Sequence, residues 1–208
     1  MVESARPISV SGAETEVGSY FVANYPPFSV WTSDAVSEMA LPALSLPPAD
    51  VPLGLYLHIP FCRKRCHFCY FRVYTDKNAN EVQAYLDTLA REWELYGNQP
   101  AIADRPLDFI YFGGGTPSFL SVRQLQSLVD RLSAVRSWET ASEITFECEP
   151  GTLTEPKLRA IREMGVTRLS LGVEHFDDDV LELNGRAHRS PEIFRAYDYA
   201  RSIDFPQI

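Results

Sequence analysis

The chain has 208 residues, 45% of them hydrophobic and 23% charged, with a formal net charge of −9 at pH 7. That is the composition of one ordinary globular domain, and the acidic balance argues against a nucleic-acid partner. No apolar run approaches the ~20 residues of a membrane helix. Met1–Arg6 is not followed by the apolar core of a secretory signal, so a cytoplasmic, reducing location is the expectation.

Residues 1–52 are punctuated by Pro26, Pro27, Pro42, Pro47, Pro48 and Pro52. They predict an irregular leader with one short helix near Ser33–Met39. The aromatic segment Tyr20–Phe28 is too apolar for a pure linker and is expected to pack on the domain surface. Strand and helix then alternate over residues 53–208. Leu55–Ile59 reads as a short apolar strand leading into a cysteine-bearing loop. Asn80–Tyr96 reads as an amphipathic helix, with Val82, Tyr85, Leu86, Leu89 and Trp93 on one face and Gly97 as a stop. Phe109–Phe112 is a buried strand running into Gly113, Gly114 and Gly115. Ser121 with Gln124 has the spacing of a capping box, opening a helix with Val122, Leu125, Leu128, Val129 and Leu132 in one stripe. Glu143–Cys148 is a third strand, Thr154 caps a helix ending at Gly165, and Arg168–Val173 is a fourth strand. Ser190-Pro191 starts the last helix, with proline at its first position. Four β–α units predict an α/β fold, a parallel sheet with right-handed crossovers. Its chemistry belongs at the C-terminal ends of the strands.

Cys62, Cys66 and Cys69 follow a C-x3-C-x2-C spacing. With four cysteines in the chain, chance sets two more on chosen positions roughly once in 2,500 tries. A zinc site would want a fourth ligand, and neither His58 nor His67 has the usual second-pair spacing. A disulfide fits poorly, since Cys148 is the only other cysteine. Three thiolates can also hold three irons of a cubane [4Fe-4S] cluster and leave the fourth iron open to a small molecule. Spacing alone leaves the zinc, disulfide and cluster readings open. Arg63-Lys64-Arg65 inside the loop is either a solvated face or a positive charge that favours thiolate.

Four segments carry a resemblance to a known family: Tyr56-Leu57-His58-Ile59-Pro60-Phe61-Cys62, Tyr111-Phe112-Gly113-Gly114-Gly115-Thr116-Pro117-Ser118, Ile144–Thr152 and Arg168–Glu174. From about Leu53 onward the chain resembles the radical S-adenosylmethionine (SAM) superfamily. Within it, the resemblance is to the branch of oxygen-independent coproporphyrinogen III oxidase and its haem-chaperone relatives. It implies a partial (β/α) barrel truncated here after about four β–α units, where the family uses about six. Asp204–Ile208 looks like the entry to a fifth strand, so a fragment, or a sheet completed by a partner, is the expectation.

The resemblance also implies a [4Fe-4S] cluster on Cys62, Cys66 and Cys69. It implies SAM contacts at Tyr56, at Gly114, Gly115 and Thr116, and at Glu147, with Arg186 pairing a SAM carboxylate. Phe68 matches a position that touches a second SAM in the oxidase, or serves as an apolar shield. Glu174 stands where the family usually has glutamine, and a carboxylate cannot donate as an amide does. No catalytic side chain is assigned. Cys148 is expected to be a buried core thiol, and His175 and His188 structural. Phe71 stands where the oxidase carries a further cysteine and the chaperones an aromatic. Glu149–Thr152 also leans toward the chaperones. The implied activity is a radical SAM oxidoreductase that oxidatively decarboxylates porphyrinogen propionates. The alternatives are a haem-binding chaperone and a radical SAM methyltransferase or cyclopropanase. The implied partners are a tetrapyrrole or haem and an electron donor.

Overall fold

The computed structural model describes residues 32–69 and 71–208, so the expectation for Tyr20–Phe28 lies outside the described residues. The described residues fall into two units, one ending at Ala43 and the other spanning Leu44–Ile208. In the first, the Thr32 hydroxyl accepts from the Ala35 amide and caps the turn Ser33–Ala35, which continues as a π-helical turn over Val36–Ala40. The short helix expected near Ser33–Met39 is therefore present.

The second unit is built on four parallel strands in the order β1 (Gly54–Ile59), β2 (Phe109–Gly114), β3 (Glu143–Cys148) and β4 (Arg168–Leu171). The connecting helices are α1 (Ala79–Gly97), α2 (Val122–Val135) and α3 (Glu155–Glu163), followed by α4 (Asp178–Leu183) and α5 (Ser190–Ser202). Side chains alternate across a strand. Leu57, Ile59, Ile110, Phe112, Ile144, Phe146 and Leu169 form one alternate set, and all are buried in the core. They pack with Val82, Leu86 and Trp93 of α1 and Leu125, Leu128 and Leu132 of α2. Each such side chain contributes roughly 1.5–3 kcal/mol on burial. The Trp93 indole donates to the Leu132 carbonyl at 3.1 Å, so the α1–α2 contact satisfies its one polar atom. The opposite set includes Tyr56, His58, Tyr111 and Glu147. That face of the sheet carries the polar groups of the site.

Several element ends differ from the sequence reading. Asn78 accepts from the amides of Asn80 and Glu81 in a capping box with Glu81, so α1 starts at Ala79. Its last residue is Gly97, with Asn98 as the C-cap, one residue beyond the expected end at Tyr96. Strand β2 takes in Gly113 and Gly114, because both pair with β1 opposite His58 and Ile59. Strand β4 ends at Leu171, where the Val173 amide turns back to the Leu171 carbonyl. Helix α5 is capped at Arg189, which moves Pro191 to the second position. Helix α4 has no counterpart in the sequence reading. Asp177 caps it by accepting from the amides of Asp179 and Val180.

The Ser121–Gln124 capping box, the Thr154 cap and buried Cys148 are as expected. Gln207 pairs in parallel with Arg168, its carbonyl accepting from Leu169 N at 3.0 Å and its amide donating to Thr167 O at 3.1 Å. Among the described residues, no helix is long and apolar enough to cross a membrane.

Candidate functional site

The cysteine loop leaves the C-terminal end of β1 and is tied down on several sides. Tyr74 N donates to Pro60 O and Cys62 N donates to Tyr74 O, which closes the loop at its base. His67 donates from its backbone to Asn184 O and from Nδ1 to Leu183 O at 2.8 Å, anchoring the loop to the end of α4. Arg63 donates to Gly151 O at 2.8 Å, anchoring it to the turn after β3.

All four cysteines are free thiols. Cys62, Cys66 and Cys69 border one cavity of about 190 Å³, together with Phe68, Gly114 and Arg186. Among the described residues no three His, Cys, Asp or Glu side chains close on a single-ion point. The three cysteines line a common cavity instead. An all-sulfur donor set around a cavity fits an iron–sulfur cluster better than one zinc ion. Two of the sulfurs already carry donors. Thr116 Oγ1 donates to Cys62 Sγ at 3.2 Å, and Arg186 Nη1 to Cys66 Sγ at 3.0 Å. Burial pushes the Cys62 thiol up, while the Thr116 hydroxyl and the Arg186 charge act in the opposite direction.

A second cavity of about 240 Å³ adjoins the first over the ends of β2, β3 and β4. The two share Gly115, Thr116, Glu149, Glu174 and Arg186, and the second adds Glu147 and Ser170. Glu147 is held from β2: Tyr111 Oη donates to Oε1 at 2.7 Å and Gly114 N to Oε2 at 3.2 Å. Burial and this carboxylate together push the Tyr111 phenol well above its ordinary value. Gly114 has φ of 111°, and an added Cβ would lie 2.8 Å from the His58 ring. At Gly115, a Cβ would lie 3.0 Å from Cys62 Sγ and from the carbonyls of Ile59 and Phe61. Only glycine lets the backbone pass this close to the sulfur.

Tyr56 lines neither cavity. It is 55% exposed on the rim, stacked on Tyr111 with centroids 5.9 Å apart, and its hydroxyl lies 3.0 Å from His58 Nδ1. Phe68 lines the cysteine cavity and is half exposed. Glu174 takes the left-handed region at φ 63°, three residues past β4, with Oε1 4.0 Å from Arg186 Nη1.

The sequence reading gave Tyr111, Glu149 and His188 no part in this site. His188 is fully buried, with Nδ1 2.8 Å from Glu149 Oε1, which also accepts from Gly151 N. Burial pushes the Glu149 carboxyl up. The bonds from His188 and Gly151, with the nearby charges of His188 and Arg63, outweigh it and hold the group below its ordinary value. Glu149 Oε2 and Arg186 Nε are buried without hydrogen-bond partners.

A parallel β–α sheet with a three-cysteine loop after its first strand and a carboxylate-lined cavity at the same rim defines a cluster-binding α/β protein. The family profile described as "Radical SAM superfamily" matches residues 56–208, and the chain belongs to that superfamily. Over 154 residues it is 39% identical to the haem chaperone HemW of Bacillus subtilis (strain 168), covering 74% of this chain and 40% of that protein. Over 182 residues it is 32% identical to the oxygen-independent coproporphyrinogen III oxidase of Escherichia coli (strain K12), covering 88% of this chain and 39% of that protein. The solved structure of coproporphyrinogen III oxidase (HemN) from Escherichia coli superposes with a TM-score of 0.73 at 32% identity. That match covers 87% of this chain and 41% of the oxidase. The chain thus spans about 40% of the length of these relatives. Radical SAM proteins use a [4Fe-4S] cluster and SAM.

Proposed function

We propose that residues 53–208, following a leader over 1–52, carry the cluster- and SAM-binding part of a radical SAM oxidoreductase acting on tetrapyrroles, by oxidative decarboxylation of porphyrinogen propionates. The observation that carries this reading is the pair of adjoining cavities at the strand ends, one bordered by three cysteines and the other by Glu147 and Arg186. When bound, the cluster and SAM supply a 5′-deoxyadenosyl radical by reductive cleavage of the sulfonium.

The chain's own residues hold and orient. Cys62, Cys66 and Cys69 ligate the cluster. Glu147, fixed by Tyr111 and Gly114, accepts from an ammonium or ribose hydroxyl of SAM. The backbone of Gly114, Gly115 and Thr116 meets the methionyl end, and Arg186 faces its carboxylate. Tyr56 closes the rim, and Phe68 shields the cluster from water or touches a second SAM. Glu174 beside Arg186 disfavours a second SAM carboxylate, because it offers a like charge where an amide would donate. An electron donor is required, and a reducing cytoplasm suits such a cluster.

A second reading is a haem chaperone that keeps the cluster without oxidising porphyrinogen. Phe71, in place of a further cysteine two residues after Cys69, favours it, as does the 39% identity to HemW. One anaerobic experiment separates these: reconstitute the protein with iron and sulfide, add SAM and dithionite, and measure 5′-deoxyadenosine with and without coproporphyrinogen III. Substrate-dependent product with CO2 release is the expected result. Haem binding without turnover supports the chaperone, and a methylated product supports a radical SAM methyltransferase. Absence of a brown chromophore, or its persistence after Cys62, Cys66 and Cys69 are all changed to alanine, refutes the cluster itself.

A further inference from the structure

We propose that Thr116 and Arg186 are positioning residues for the cluster: each donates to one cysteine sulfur, and together they raise the potential at which the cluster accepts an electron. This rests on Cys62, Cys66 and Cys69 being the cluster ligands.

Thr116 precedes the short turn Pro117–Phe119 at a capping position, yet its hydroxyl makes no capping bond. A threonine there ordinarily accepts from a turn amide. Here the side chain is buried and its hydroxyl donates to Cys62 Sγ at 3.2 Å instead. The local signal for a cap is overridden by the sulfur.

Arg186 is only 8% exposed. A buried guanidinium must be compensated by an anion. Nη2 donates to the neutral carbonyl of Gly172 at 2.6 Å, and the Glu174 carboxylate stands off at 4.0 Å with its side chain 44% exposed. The group within hydrogen-bond reach that carries a negative charge when it ligates iron is Cys66 Sγ, 3.0 Å from Nη1. Arginine stays charged at any working pH, so this is a permanent charge-assisted donor. Cys69 Sγ has no donor among the described residues. Among the described residues the three sulfurs are thus graded: one with a charged donor, one with a neutral donor and one with neither.

Donors on ligand sulfurs stabilise the reduced form, which carries one more negative charge, over the oxidised form. Removing a donor lowers the midpoint potential without changing which atoms bind iron. In the test, the wild type, Thr116→Val, Thr116→Ser and Arg186→Gln are reconstituted anaerobically without SAM. Iron and sulfide per chain are counted, and the reduced signal is then titrated by electron paramagnetic resonance against potential with dithionite as reductant. Thr116→Val keeps the shape and loses the donor, so its potential falls below that of the wild type. Thr116→Ser keeps the donor and stays at the wild-type value. Arg186→Gln falls further than Thr116→Val.

Loss of iron from Thr116→Val but not from Thr116→Ser supports the same role. A fully loaded Thr116→Val at the wild-type potential overturns the proposal while leaving the cluster intact. A wild type that takes up no iron overturns both this proposal and the reading beneath it. The threonine pair decides the matter even if Arg186→Gln fails to fold for want of its Gly172 contact.

Discussion

Gly115→Ala tests whether the chain folds around the cysteine loop as described. The added Cβ would lie 3.0 Å from Cys62 Sγ, Ile59 O and Phe61 O, against an ordinary range of 3.4–4 Å. Two of those neighbours are backbone. Ile59 O is further pinned, since it accepts from Gly115 N at 2.8 Å. The sulfur is the one that must move. Overpacking of this kind costs about 1–3 kcal/mol. At roughly 2–4 °C per kcal/mol for a unit of this size, the apoprotein melts about 2–12 °C lower. The second consequence is chemical: Cys62 Sγ is displaced, and iron loading falls with it. Gly114→Ala is the control. Its φ of 111° is strained for any L side chain and its Cβ meets the His58 ring, so it also lowers the melting temperature. None of the three nearest atoms to that Cβ is a cysteine sulfur, and iron loading is retained. Calorimetry of the two apoproteins and an iron count after reconstitution read both effects. A Gly115→Ala protein with full iron at the wild-type melting temperature refutes the reasoning.

Tyr111→Phe removes the donor that fixes Glu147 Oε1. A hydrogen bond to a charged group is worth about 1.5–3 kcal/mol, so calorimetric affinity for SAM falls at least about tenfold while the fold stays intact. Glu149 has a folded-state pKa below its unfolded value, so its stabilisation is fully present above the unfolded value of 4.5 and is lost as pH falls through the lower folded value. Urea midpoints therefore drop as the pH falls below 4.5, and Glu149→Gln flattens that drop at the cost of a lower midpoint at neutral pH. Ser118 is fully buried, with Oγ 2.5 Å from Thr152 Oγ1 and accepting from Glu149 N at 3.0 Å. Ser118→Ala strands the buried Glu149 amide, while Thr152 Oγ1 keeps its bond to Glu149 O at 2.7 Å, and lowers stability by about 1–3 kcal/mol in chemical denaturation. A midpoint equal to the wild type would contradict it.

The strands were legible because each is a short apolar run ending in a loop of distinctive residues. Glu143–Cys148 matched at both ends. Glycines shifted two element ends: Gly97, expected as the stop after Tyr96, is the last helical residue, and Gly113-Gly114, expected to follow the second strand, belong to it. At Gly113 and Gly114 pairing with β1 overrode the local signal. Helix α4 was missed although Asp177-Asp178-Asp179 before Val180 and Leu181 is a capping signal. The candidate site was legible as a set of residues and not as a network. Thr116 is 54 residues from Cys62, and Arg186 is 120 from Cys66. No local pattern encodes a hydrogen bond over such separations.

That network ties the two cavities to the same few segments. The cysteine loop is fastened through His67 to the end of α4 and through Arg63 to the turn after β3. Arg186 lies just past α4, Glu149 begins that turn, and His188 joins the two by its contact with Glu149. The segments that hold the loop in place therefore supply the walls common to both cavities. A shift of α4 would carry His67 and Arg186 together and move the sulfur of Cys66 with them. Ligand entering the second cavity meets Arg186 and Glu149, whose partnerless Nε and Oε2 are the buried polar atoms still to be satisfied there. Occupancy of the one cavity and the setting of the sulfurs in the other are thus coupled through a few side chains, with Arg186 at the junction.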